Sequence, residues 1–149
     1  MLVLSSCQDK IISRAIQGFY IECSTNHGRA VYKKDLWPGD VEVDAYIYYW
    51  DERDGARLSG WWLGPVVGGE LAWAYHPSRV AMRPPYTDWM VASCLSIDRT
   101  FVLLPALSDE EEWEMRRKSF LRVNMGNEAA PRLSQHGEGF EYARSELEP

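Results

Sequence analysis

At 149 residues the chain holds one ordinary domain, with room for an added helix or tail. It is 46% hydrophobic, as a globular protein should be, and 13% aromatic, well above an ordinary share. Its formal charge of −6 argues against a duplex nucleic-acid binder, which needs a basic face. No apolar run approaches the roughly 20 residues that cross a bilayer, so no transmembrane segment is expected and any association with a membrane complex would be peripheral. The three cysteines, Cys7, Cys23 and Cys94, lack CxxC spacing and leave at least one thiol unpaired. That pattern fits a reducing intracellular compartment and gives no support for a disulfide framework or a structural zinc. The opening Met1-Leu2-Val3-Leu4 lacks the basic and long apolar regions of a lipoprotein signal ending at Cys7.

In chain order, Gly18 and the aromatic, β-branched run Phe19-Tyr20-Ile21 point to strands near 10–15 and 19–24 rather than a helix. Asn26-His27-Gly28 is a turn, since Asn and Gly tolerate a left-handed backbone, and Ala30 to Lys33 returns. Lys33-Lys34 reads as a solvated strand end. Val43 to Trp50 is the clearest strand. Its alternation puts Val43, Ala45, Ile47 and Tyr49 on one face and Asp44, Tyr46, Tyr48 and Trp50 on the other. Asp54-Gly55 marks a hairpin turn, with Ser59 to Leu63 returning. Trp61 and Trp62 are neighbours on that strand, so they point to opposite faces and only one belongs to the core. Gly68-Gly69 makes the next turn before a strand from Glu70 to His76, and a last strand spans Thr100 to Leu104. The expected architecture is all-β over residues 1–107, a small antiparallel curled sheet or partly open barrel.

Residues 108–126 read as a C-terminal α-helix with an acidic start. Ser108 and Glu111 have capping-box spacing, and Trp113, Phe120 and Leu121 form a narrow apolar stripe. Residues 127–149 are polar and interrupted by Gly and Pro, an extended tail expected to stay disordered unless bound.

Several runs follow one another in order: Asn26-His27-Gly28-Arg29-Ala30-Val31-Tyr32-Lys33-Lys34, Tyr48-Tyr49-Trp50-Asp51-Glu52-Arg53-Asp54-Gly55, Ser59-Gly60-Trp61-Trp62-Leu63-Gly64-Pro65, Val67-Gly68-Gly69 and Trp73-Ala74-Tyr75-His76-Pro77. Together they resemble an uncharacterised Trp- and Gly-rich module abundant in alveolate protists, above all dinoflagellates. The resemblance covers about residues 12–91. Ala30 stands where that module usually has proline, and Tyr86 to Val91 matches its last element only loosely. No catalytic activity comes with the resemblance. It implies an appended binding or packing unit.

The residues themselves offer little to a catalyst. Cys23 and His27 have the spacing of a thiol–imidazole pair but no third residue to orient them, so they read as a core cysteine beside a turn histidine. Asp51, Glu52 and Asp54 lie on too short a turn to surround calcium. Gly64 to Gly69 lacks the Lys-Ser/Thr of a phosphate loop. No cofactor or metal is expected. The outward tryptophan of the pair, with Tyr46, Tyr48, Trp50 and His76, is the expected contact surface, joined by Trp113 and Phe120 of the helix. The expected function is a non-catalytic protein-interaction module, an accessory or structural subunit whose aromatic face, helix and tail meet protein partners. The alternative is a small-ligand domain that stacks a sugar or an ADP-ribose-like group on tryptophan.

Overall fold

The computed structural model describes residues 1–106, together with Glu110, Trp113, Glu114, 116–118 and Leu121. Its main unit comprises Met1–Asp35 and Asp44–Pro105, and a second contains Leu36–Val43 and residues after Pro105.

The main unit is an antiparallel sheet curled into a half-barrel. Its nine strands are β1 (Leu2–Leu4), β2 (Gly18–Asn26), β3 (Arg29–Lys34), β4 (Tyr46–Trp50), β5 (Gly60–Gly64), β6 (Ala74–His76), β7 (Met90–Val91), β8 (Ser96–Ile97) and β9 (Leu103–Pro105). They lie in the order β8-β7-β6-β5-β4-β3-β2-β1-β9, a meander in which β9 returns to pair with β1. At the β2–β3 hairpin His27 and Gly28 both have positive φ, 48° and 76°, the backbone a two-residue turn needs to match strand twist.

The expected strand at 10–15 is instead a helix, α1 (Lys10–Ile16). Asp9 caps it, its carboxylate accepting from the N–H groups of Ile11 and Ile12 at 2.9 and 3.0 Å. Ala15 and Ile16 then bury completely. Gly18 does end that segment, but its φ of 135° starts β2 directly. Lys34 is also corrected: it is buried, not solvated, and its ammonium donates to the Ala15 carbonyl at the end of α1 at 3.1 Å. The Asp54-Gly55 turn is longer than a hairpin turn, two successive 3-10 turns at Glu52–Asp54 and Ala56–Leu58 joined through Gly55. The expected strand from Glu70 is regular only at Ala74–His76. The strands β1, β7 and β8 were not expected.

The concave face carries the core. Across β4, β5 and β6, Ile47 pairs with Leu63 and Leu63 with Ala74, while Tyr49 pairs with Trp61 and Trp61 with His76. Leu4, Tyr20, Trp89, Phe101 and Leu103 are among the other side chains that are almost wholly buried. Trp89 stacks on Phe101 with centroids 5.1 Å apart and donates to the Pro85 carbonyl at 2.7 Å. The Arg29 guanidinium lies 3.5 Å from the Tyr49 ring centroid and donates to the Arg79 and Ala81 carbonyls, tying the 77–85 loop over this face.

In the second unit, Arg116 lies 4.8 Å from the Trp37 ring centroid. Glu110, Trp113, Glu114, 116–118 and Leu121 are helical. Lys118 pairs with Glu114 at 3.6 Å, one turn apart. The expected cap at Ser108 and Glu111, the contact residue Phe120 and the tail lie outside the described residues.

Candidate functional site

The convex face of β4, β5 and β6 is aromatic, and the register explains why. Tyr48 pairs with Trp62 and Trp62 with Tyr75, while Trp50 pairs with Gly60, so Tyr46, Tyr48, Trp50, Trp62 and Tyr75 all project from the side opposite the core. Trp62 is the outward tryptophan. Trp61 is fully buried with its indole N–H on the Ala81 carbonyl, so its place is the core and not the contact surface. His76 also belongs to the inner side, paired with Trp61 and 5.8 Å from the Trp89 ring. Burial, only partly opposed by Asp88 and the Thr87 backbone, pulls its imidazole below the ordinary histidine range. The proposed set therefore divides: Tyr46, Tyr48, Trp50 and Trp62 share one face, and Trp61 and His76 the other. Trp113 is 63% exposed in the second unit, with the Arg117 guanidinium 5.6 Å from its ring centroid.

Two cavities flank Trp62. One, of about 290 Å³, is lined by Tyr48, Trp50, Asp54, Leu58, Trp62, Gly68, Gly69, Glu70 and Ala72. The other, of about 260 Å³, lies toward β7 and takes Arg57, Tyr75, Met90 and Leu95 among its walls. The walls of the first are held firmly. Trp62 leans on Tyr75 at 4.4 Å between centroids and donates its indole N–H to the Leu58 carbonyl at 2.9 Å. Trp50 leans on His27 at 4.2 Å and donates to Asp54 Oδ2 at 2.9 Å. Tyr48 forms the buried floor, and burial raises its phenol above the ordinary tyrosine range despite a bond to the Gly68 backbone.

Glycines make this arrangement fit. A Cβ on Gly68, whose φ is +70°, would sit 2.7 Å from the Trp50 ring. A Cβ on Gly60 would run into the His76 carbonyl oxygen. The loop residues that complete the cavity, Leu58 and Glu70 in particular, were missed in the sequence. Only the Gly68-Gly69 turn hinted that this loop folds back on Trp50.

Cys23 and His27 are each engaged elsewhere. Cys23 Sγ approaches the Val31 carbonyl at 3.6 Å, and His27 Nδ1 accepts from the Asp51 N–H at 2.8 Å. His27 Nδ1 also lies 3.4 Å from Asp51 Oδ1. The backbone bond fixes Nδ1 as an unprotonated acceptor, so that approach is no ion pair. Asp51 is held instead by Arg53, whose side-chain and backbone bonds lower its carboxyl to about 2. The three cysteines are free thiols, Cys7 buried and the other two exposed. Burial pushes Cys7 up to about 11, with the Asp98 charge adding to it. Among the described residues no group of His, Cys, Asp and Glu could hold a metal ion, and no helix is long and apolar enough to cross a membrane. Comparison with protein-family models, curated proteins and solved structures finds no match to this chain.

Proposed function

We propose that the chain is a non-catalytic protein-interaction module, one instance of the Trp- and Gly-rich module it resembles, acting as an accessory or structural subunit of a larger assembly. The observation that carries this reading is the outward aromatic face around Trp62, edged by exposed Leu58, Leu71 and Leu95. Aromatic anchors of this kind, rigid and amphipathic, carry much of the energy in protein interfaces. Trp113, exposed on the helical segment, supports a second point of contact. The test is size-exclusion chromatography and cross-linking of the full chain in extract from its source. The wild type should run in a high-mass assembly, and Trp62→Ala should reduce its share there at least tenfold. A wild-type chain that remains monomeric, or a Trp62→Ala chain that assembles normally, would sink the proposal.

A second reading is recognition of a small neutral sugar, favoured by the 290 Å³ cavity with two indole walls. The ADP-ribose form of that reading is the weaker one, since both charged residues of the cavity, Asp54 and Glu70, are acids that would repel a diphosphate. Titration with neutral glycans followed by tryptophan fluorescence separates the two readings.

A further inference from the structure

A partner docking on this face meets the cavity between Trp50 and Trp62, and its lining selects a particular chemistry. Each indole is backed on one side, Trp50 by His27 and Trp62 by Tyr75, and both present surface to the cavity. Both indole N–H groups are already bonded inside the protein. The tryptophans therefore offer a partner only their rings, whose faces carry negative potential and attract cations.

The charges agree with the rings. Asp54 and Glu70 are the charged residues among those lining the cavity, and no cation joins them there. Asp54 uses Oδ2 for the Trp50 N–H, and Glu70 is exposed, with no ion pair among the described residues. A cavity with aromatic walls and two carboxylates at its edge matches a cation that is also flat. Trp50 and Trp62 are diagonal neighbours on adjacent strands, which sets their origins about 7–8 Å apart, and both line the same cavity of about 290 Å³, a volume that admits a planar side-chain end. A guanidinium is planar, weakly hydrated, stacks on aromatic rings and donates in a fork to carboxylates, whereas an ammonium is a compact, strongly hydrated point charge. The opposite face already uses the same pairing, with Arg29 on Tyr49.

We propose that this cavity receives the guanidinium of an arginine side chain on the partner protein. The inference rests on reading the face as a protein-docking surface, and it names the chemistry of what docks. Capped Gly-Arg-Gly, Gly-Lys-Gly and Gly-citrulline-Gly peptides, titrated into the full chain and followed by tryptophan fluorescence and NMR, test it. The arginine peptide should bind at least tenfold more tightly than the citrulline peptide, which has nearly the same shape without the charge, and more tightly than the lysine peptide. The double variant Asp54→Asn, Glu70→Gln should lose at least tenfold in arginine affinity, since Asn keeps an acceptor for the Trp50 N–H while the charge is gone. Equal binding of arginine and citrulline, equal binding of lysine, or an unchanged double variant would each overturn it. So would binding of neutral glycans in place of the arginine peptide. If Trp62→Ala breaks the assembly while the double variant assembles normally, the docking surface stands and the guanidinium site falls. If Trp62→Ala leaves the assembly intact, the docking reading itself fails.

Discussion

Trp61 and Trp62 sit side by side in the chain and do opposite work. Trp61 is fully buried beside Tyr49, with centroids 5.6 Å apart, whereas Trp62 is half-buried on the other face against Tyr75. Trp61→Ala should cost about 3–5 kcal/mol through the cavity it leaves. Trp62→Ala should cost only about 1–2 kcal/mol, mostly its stacking and partial burial. Urea denaturation of the two variants measures the difference, and equal losses would contradict the assignment of faces. That two adjacent strand residues must part company was legible in the sequence from the period of a strand. Which one turned inward was not, because the answer depends on the register with Tyr49 and His76, a long-range fact.

Among the elements, the strands with alternating large side chains were the readable ones. Gly60–Gly64 lies where alternation and glycine turns put it, while the strand expected from Val43 begins only at Tyr46; of the residues placed on one face, Ala45, Ile47 and Tyr49 are buried and Val43 is half-buried outside the strand. Most of the short strands were illegible: two or three residues give no period, and β1, β7 and β8 exist because neighbours supply their hydrogen bonds. The misread element is α1. Its apolar residues suit a strand almost as well as a helix, and the deciding signal was the cap, Asp9, one residue before the helix begins. Asp9→Ala should therefore destabilise the protein by about 1 kcal/mol, read as a lower urea midpoint with an unchanged slope, while Asp9→Ser should keep most of the stability. The cavity on the convex face was half legible in the same way. Its tryptophans came from strand alternation, and its acids came from loops whose path no pattern announces.

For the whole molecule, acid should act in two stages. His76 is held below the ordinary histidine range by burial, so the unfolded chain binds its proton more readily. The stability this confers is complete above about pH 6.5 and is lost as pH falls through the lower folded value. Asp98 follows at lower pH. Burial alone would raise its carboxyl, but bonds from the Gln8 N–H at 2.6 Å and from the Thr100 hydroxyl and N–H at 2.6 and 2.8 Å overcome it and hold it below the usual range. Its contribution is present above about pH 4 and disappears below. Thermal melts across pH should show His76→Gln flattening the upper stage and Asp98→Asn the lower, and an unchanged profile in both would refute the account. Asp98 also joins the start of the chain to the segment that leads into β9. β2 through β5 meet near neighbours in sequence, so they can assemble while synthesis proceeds. Phe101 and Leu103 join the core from the far end of the main unit, Phe101 stacked on Trp89 and Leu103 beside Leu4 of β1. A chain cut short before β9 would leave Leu4 of β1 and Trp89 without these partners, an apolar surface open to aggregation.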